Sequence, residues 1–86
     1  MARLTKAEAA WVKKLQEVMN ECPSKRIQAF TIGDSELNLF DGSKENAIQA
    51  ALDGRGGPSD FCQAVTHVGA DLAQIRCPFA VHSTAG

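Results

Sequence analysis

The 86-residue sequence lacks the features that define several functional classes. No apolar run approaches the ~20 residues that a membrane-spanning helix needs, and residues 1–8 lack the apolar region of a signal peptide. The sequence contains no nucleophile elbow, no glycine-rich phosphate loop and no His-Glu pair at helical spacing. We therefore predict a cytoplasmic, non-enzymatic protein that uses no cofactor and binds no membrane.

Cysteine is scarce as well. The three cysteines, Cys22, Cys62 and Cys77, are odd in number and irregularly spaced, which favours a reducing compartment over a disulfide framework. Two Cys-x4-His pairs, Cys62 to His67 and Cys77 to His82, contain zinc-ligating residue types. However, residues five apart lie about 140° apart on a helix and on opposite faces of a strand. We predict no metal site, and assign the cysteines to packing.

Net charge is small, but it is unevenly distributed. The chain carries −1 overall, with +3 on residues 1–26 and −4 on residues 27–86. Nucleic-acid-binding domains are usually basic overall, so this balance disfavours that class. If the chain does bind nucleic acid, Lys13, Lys14, Lys25 and Arg26 are the candidate phosphate contacts. Nucleic-acid binding through the basic N-terminal helix is our alternative function.

The composition indicates one folded domain that spans residues 1–86. Hydrophobic residues make up 44% of the chain and charged residues 22%, which is typical of globular proteins and not of disordered ones. A chain of this length buries only about 60–65% of its unfolded surface. That is enough for one layer of helices on one sheet.

The first helix has clear start and stop signals. Thr5 and Glu8 form a capping box, and Pro23 ends the helix because the residue before a proline disfavours the α conformation. We predict a helix over residues 6–21. Apolar residues recur on one side of it at spacings of three and four: Trp11, Val12, Leu15, Val18, Met19 and Cys22.

A β-hairpin follows. Two runs of apolar and β-branched residues, at about 26–32 and 36–41, flank a Gly33-Asp34-Ser35 turn. Neither face of this hairpin is cleanly polar. Either both faces are partly covered within the fold, or one of them is a partner surface.

The pattern in the second half of the sequence predicts two more helices and leaves one segment ambiguous. A helix at about 44–53 has Asp41 or Ser43 as N-cap, and a short helix begins after Asp60 and ends at Gly69. Within residues 70–82, the alternation from Ala73 to Val81 favours a third strand, whereas helical spacing continues as far as Ile75. We predict an α+β fold: a small antiparallel sheet, made of the hairpin and this third strand, packed against two or three helices.

The end of the hairpin is our candidate partner-binding surface. Acidic residues cluster there, and a small protein can bind a partner by charge complementarity or by adding a strand to a free edge. The candidate residues are Asp34, Ser35, Glu36, Asn38, Phe40 and Asp41. A homodimer that pairs through a free strand edge and buries the phenylalanines is a further hypothesis.

Three segments resemble small uncharacterised proteins carried by prophages of enteric bacteria. They are Pro23-Ser24-Lys25-Arg26-Ile27, Phe30-Thr31-Ile32-Gly33-Asp34 and Pro78-Phe79-Ala80-Val81-His82-Ser83. The resemblance spans much of the chain, but it carries over no site residues. It implies a bacterial accessory protein of the cytoplasm with no assigned activity. Our own functional prediction is a small interaction module, such as a prophage accessory protein that binds or regulates another protein.

Overall fold

The computed structural model of the protein describes residues 2–54 and 56–82, and it confirms the predicted α+β class. Within these residues the elements are α1 (Lys6–Asn20), β1 (Ile27–Phe30), β2 (Glu36–Asp41), a 3₁₀ turn (Gly42–Lys44), α2 (Glu45–Asp53), α3 (Phe61–His67) and β3 (Asp71–Arg76). The strands form one antiparallel sheet with β2 in the middle, in the order β1-β2-β3.

Helix α1 begins at the predicted capping box. The Glu8 amide donates to Thr5 Oγ1 at 3.1 Å, and the Thr5 amide donates to Glu8 Oε1 at 2.8 Å. The helix ends at Asn20, three residues before Pro23. Although α1 is the longest element, no residue within Lys6–Asn20 is buried.

The hairpin forms where the sequence predicts it, with a shorter first strand. β1 covers residues 27–30 instead of 26–32, and the chain then turns through Gly33, whose φ of +88° is the left-handed conformation that glycine adopts without strain. The Glu36 amide donates to Asp34 Oδ1 at 3.0 Å, which stabilises the turn. The register places Ala29 opposite Leu39 and Phe30 opposite Asn38.

The ambiguous segment is a strand, and the reason lies at the end of α3. Gly69 has a φ of +71°, and the Ala70 amide donates to the Val65 carbonyl at 2.9 Å, which is the Schellman geometry that terminates a helix. The helical alternative through residue 75 is therefore wrong. β3 starts earlier than the alternation suggests and ends at Arg76, since Pro78 has no amide hydrogen to continue the ladder.

Helices α2 and α3 cover one face of the sheet. The buried apolar core joins Phe40 of β2 and Ile48 of α2 to Ala64 and Val65 of α3 and to Ala70. Around it, the rings of Phe30, Phe40 and Phe61 contact one another, with centroids 5.3–5.8 Å apart. These three phenylalanines therefore pack against one another within one chain, with Phe40 buried and Phe30 and Phe61 half-buried, whereas Phe79 is 52% exposed. The homodimer stays a prediction.

Ile48 tests this account of the core because its side chain is only 1% exposed. We expect Ile48→Ala to lower the free energy of unfolding by about 2–5 kcal/mol, since it removes buried methyl groups and leaves a cavity. The matched substitution Ile32→Ala, at a side chain that is 59% exposed, is expected to change it by no more than about 0.5 kcal/mol. Urea titrations of both variants measure the difference, and similar losses would contradict the assigned core.

Candidate functional site

The structure divides the six predicted partner-binding residues into two groups. Asn38 and Asp41 are 8% exposed and Phe40 is 6% exposed, so these three are held inside the fold. Asp34 is exposed, and Ser35 and Glu36 are half-buried. The predicted surface therefore reduces to residues 34–36, because the other three side chains make internal contacts.

Asn38 and Phe40 lie on the face of β2 that α2 and α3 cover. Phe40 belongs to the aromatic cluster described above. Asn38 joins all three strands, since its Nδ2 donates to the Phe30 carbonyl at 3.4 Å and its Oδ1 accepts from Gln74 Nε2 at 2.9 Å. Both side chains thus have structural roles.

Asp41 also has a structural role, at the junction of β2 and the 3₁₀ turn. Its Oδ1 accepts from the Ser43 amide at 3.0 Å and from the Ser43 hydroxyl at 2.6 Å, while its Oδ2 lies 3.1 Å from Arg26 Nη1. The Ser43 hydroxyl bond is the main cause that lowers the pKa of Asp41 below its ordinary value, and Arg26 adds to it, while partial desolvation opposes both. The carboxylate caps the turn and anchors Arg26.

The exposed end of the hairpin is less acidic than its sequence suggests. Glu36 Oε1 lies 3.6 Å from Arg76 Nη2 on the neighbouring strand β3, which offsets part of the negative charge. Asp34 uses one carboxylate oxygen to accept from the Glu36 amide. Charge complementarity with a partner would therefore rest on very few groups.

The four basic candidates for phosphate contacts lie in two places. Lys13 and Lys14 are exposed on α1, whereas Lys25 and Arg26 belong to the turn before β1. Arg26 is already paired with Asp41. The structure therefore leaves three of the four without an assigned internal role.

The cysteines are free thiols, with Cys22 exposed and Cys62 and Cys77 half-buried. Cys62 and His67 both border a cavity of ≈ 450 Å³ beside the loop at residues 56–58. Residues 2–54 and 56–82 contain no group of three or more His, Cys, Asp or Glu side chains placed to hold a metal ion.

The largest unexplained feature is an exposed apolar surface with two parts. The first part, which we call the helix stripe, consists of Trp11, Val12, Leu15, Val18 and Met19 on α1. These five side chains are 41–58% exposed. Isolated exposed apolar residues are common, but a contiguous patch of this kind marks an interaction site.

The second part, which we call the open sheet face, is the side of the sheet opposite α2 and α3. The cross-strand register puts its apolar residues on one face, and they are Ile27, Ala29, Leu37, Leu39, Ala73 and Ile75, with Asp41 opposite Ile27 at one end. Ala29, Ala73 and Ile75 are exposed, Ile75 at 47%, whereas Ile27, Leu37 and Leu39 are half-buried. No helix of the described chain buries this face as α2 and α3 bury the other one.

A cavity of ≈ 360 Å³ joins the two parts. Val18 and Met19 border it from the C-terminal end of α1, and Leu37, Leu39 and Ile75 border it from the sheet. Towards the other end of the helix, the Trp11 ring meets the Phe79 ring edge-on, with centroids 6.1 Å apart. Helix α1 thus lies beside the open sheet face without closing on it.

The apolar residues of this surface are visible in the sequence, but their periodicity alone predicts that they face the core of their own chain. The spacing of the helix stripe reports an amphipathic helix, which normally faces the core of its own chain. The mixed polarity of both hairpin faces allows a partner surface, although it does not say which face is covered. Only the position of α2 and α3 identifies the open one.

Comparison with protein-family models, curated proteins and solved structures found no match to this chain. Among residues 2–54 and 56–82, none of the helices has the length and apolar character needed to cross a bilayer.

The lowered pKa of Asp41 predicts a pH-dependent contribution to stability. Its pKa in the folded chain lies below the ordinary value of 3.8, so the unfolded chain takes up the proton first as pH falls. The contribution is complete above about pH 5 and is lost as pH falls through the folded-state pKa. We expect Asp41→Asn to lower the urea midpoint at pH 7, and the gap from wild type to shrink between pH 5 and pH 3.

Asp34→Asn is the matched control, because it makes the same chemical change at an exposed turn residue. Its urea midpoint at pH 7 should stay closer to wild type than that of Asp41→Asn. If the gap between Asp41→Asn and wild type were constant from pH 7 to pH 3, the stabilising role of the Asp41 carboxylate would be contradicted.

Proposed function

We propose that this chain is a non-enzymatic protein-interaction module that docks on another protein chain through the helix stripe and the open sheet face. One observation carries the proposal: five large apolar side chains of α1 are 41–58% exposed beside an apolar sheet face. Water disfavours such a surface, and a partner chain that covers it gains hydrophobic free energy at roughly 25 cal/mol per Å².

The helix itself supports this proposal. A 15-residue helix is marginal in water when it stands alone, and most helices in proteins depend on tertiary packing of their apolar face. In this chain the N-terminal capping box is complete, yet no residue within Lys6–Asn20 is buried. A partner that packs on the helix stripe supplies the missing tertiary contact.

The resemblance to small prophage proteins adds a biological setting to the proposal. It implies an accessory protein of the bacterial cytoplasm with no assigned activity, and we propose that this activity is binding to another protein. Such a role fits a small chain whose largest exposed feature is apolar.

A paired set of variants tests the module. Leu15→Glu/Val18→Lys places two charges in the helix stripe and leaves the net charge unchanged. Lys13→Glu/Glu17→Lys exchanges two charges on the opposite side of α1, as the helical spacing requires. The lysate is bacterial, contains the untagged wild-type chain, and is used with and without nuclease treatment. We expect tagged wild type and the Lys13/Glu17 variant to retain the same protein chain from it, and the Leu15/Val18 variant to lose that chain.

The retained chain is then purified and its binding to each variant is measured directly. Equal binding by all three proteins would contradict the assigned surface. Retention of nucleic acid alone, lost in the Lys13/Glu17 variant and weakened by salt, would instead support the alternative function through Lys13, Lys14 and Lys25.

A further inference from the structure

We infer that the partner on this surface is a second copy of the same chain. In this arrangement the helix stripe of each copy packs against the open sheet face of the other, about a two-fold axis. The inference rests on the proposed function, because it names the occupant of the same surface. Three properties of the chain support a second copy.

The first property is the amount of exposed surface. The chain exposes 7048 Å², whereas a folded monomer of 9.2 kDa is expected to expose about 4,900 Å². A standard protein–protein interface buries about 800 Å² per partner. Half of the excess of about 2,100 Å² would therefore supply a complete interface on each copy.

The second property is the extended shape. The radius of gyration is 16.2 Å, compared with about 12 Å for a compact 86-residue domain. The longest dimension is 53 Å and the shortest only 20 Å. Both values indicate an element that extends from the core, as elements exchanged between subunits do.

The third property is self-complementarity. A two-fold interface uses the same surface on both copies, so one chain must carry both the inserted part and the part that receives it. This chain carries a protruding apolar stripe and a flat apolar face. Their lengths also match, because a 15-residue helix is about 22 Å long and a six-residue strand about 20 Å long.

Packing within one chain leaves the surface unsatisfied. Helix α1 already lies beside its own sheet, where Trp11 meets Phe79 and Val18 borders the cavity, yet the side chains of the stripe remain 41–58% exposed. The occupant therefore has to come from outside the described chain, and a second copy matches the surface in the area it would bury and in the lengths of the parts that would meet.

Molar mass in solution tests the inference on the full chain. By sedimentation equilibrium over 1–500 µM, roughly the range of weak to strong self-association, we expect wild type and Lys13→Glu/Glu17→Lys to show twice the 9.2 kDa chain mass. Leu15→Glu/Val18→Lys should weaken self-association at least about thirtyfold, as loss of a central interface contact does. Circular dichroism checks that this variant stays folded.

A second measurement does not depend on any variant. In a mixture of ¹³C-labelled and unlabelled wild-type chains, isotope-filtered NOEs should join the Trp11 ring or Leu15 methyls of one copy to the Leu37 or Ile75 methyls of the other. Dimers without such contacts, or dimers that persist in the Leu15/Val18 variant, would overturn the assigned interface.

A wild-type mass of 9.2 kDa at every concentration would overturn the inference altogether. The proposed function is decided separately. If wild type is monomeric and captures a protein that the Leu15/Val18 variant does not capture, the chain is an interaction module for a different protein. If wild type is monomeric and the Leu15/Val18 variant captures the same protein equally well, both the proposed function and the second-copy inference are contradicted.

Discussion

The contact among Phe30, Phe40 and Phe61 is the constraint on which the rest of the structure depends. Phe30 and Phe40 project from adjacent strands, and Phe61 meets both of them from the first turn of α3, with centroids 5.3–5.8 Å apart. Such aromatic pairs each add about 0.5–1.5 kcal/mol beyond the burial of their area. Phe61 holds α3 on this side of the sheet, and Ile48 packs α2 into the same core. Within the described residues, the other side therefore has no helix packed closely over it.

The two faces of the sheet consequently differ in how completely their side chains are packed and hydrogen-bonded. On the covered face the amides of Asn38 and Gln74 pair with each other, and the described residues leave no buried side-chain nitrogen or oxygen without a partner. On the open face the leucines and isoleucines have no comparable cover. Because the buried polar groups of the core already have hydrogen-bond partners, no unpaired group favours a different packing of the helices. We therefore expect the open sheet face to persist in the folded chain.

Local signals in the sequence predict the elements well, and long-range contacts explain what they miss. The capping box of Thr5 and Glu8, the turn at Gly33 and the helix end at Gly69 act over a few residues, so the sequence reveals them directly. The burial of Asn38 depends on Gln74, 36 residues away, and that of Asp41 depends on Arg26 and Ser43. For the same reason, the local spacing of residues predicts the helix stripe but does not predict which surface would cover it.

The order of the elements along the chain has a consequence for folding. The hairpin is complete at Asp41, but Val65 and Ala70, which close the core over Phe40, come later in the sequence. A chain in which the hairpin has formed and α3 and β3 have not docked therefore exposes both faces of the hairpin. We expect the hairpin to form early because its contacts are local, and the domain to gain its stability only when α3 and β3 dock.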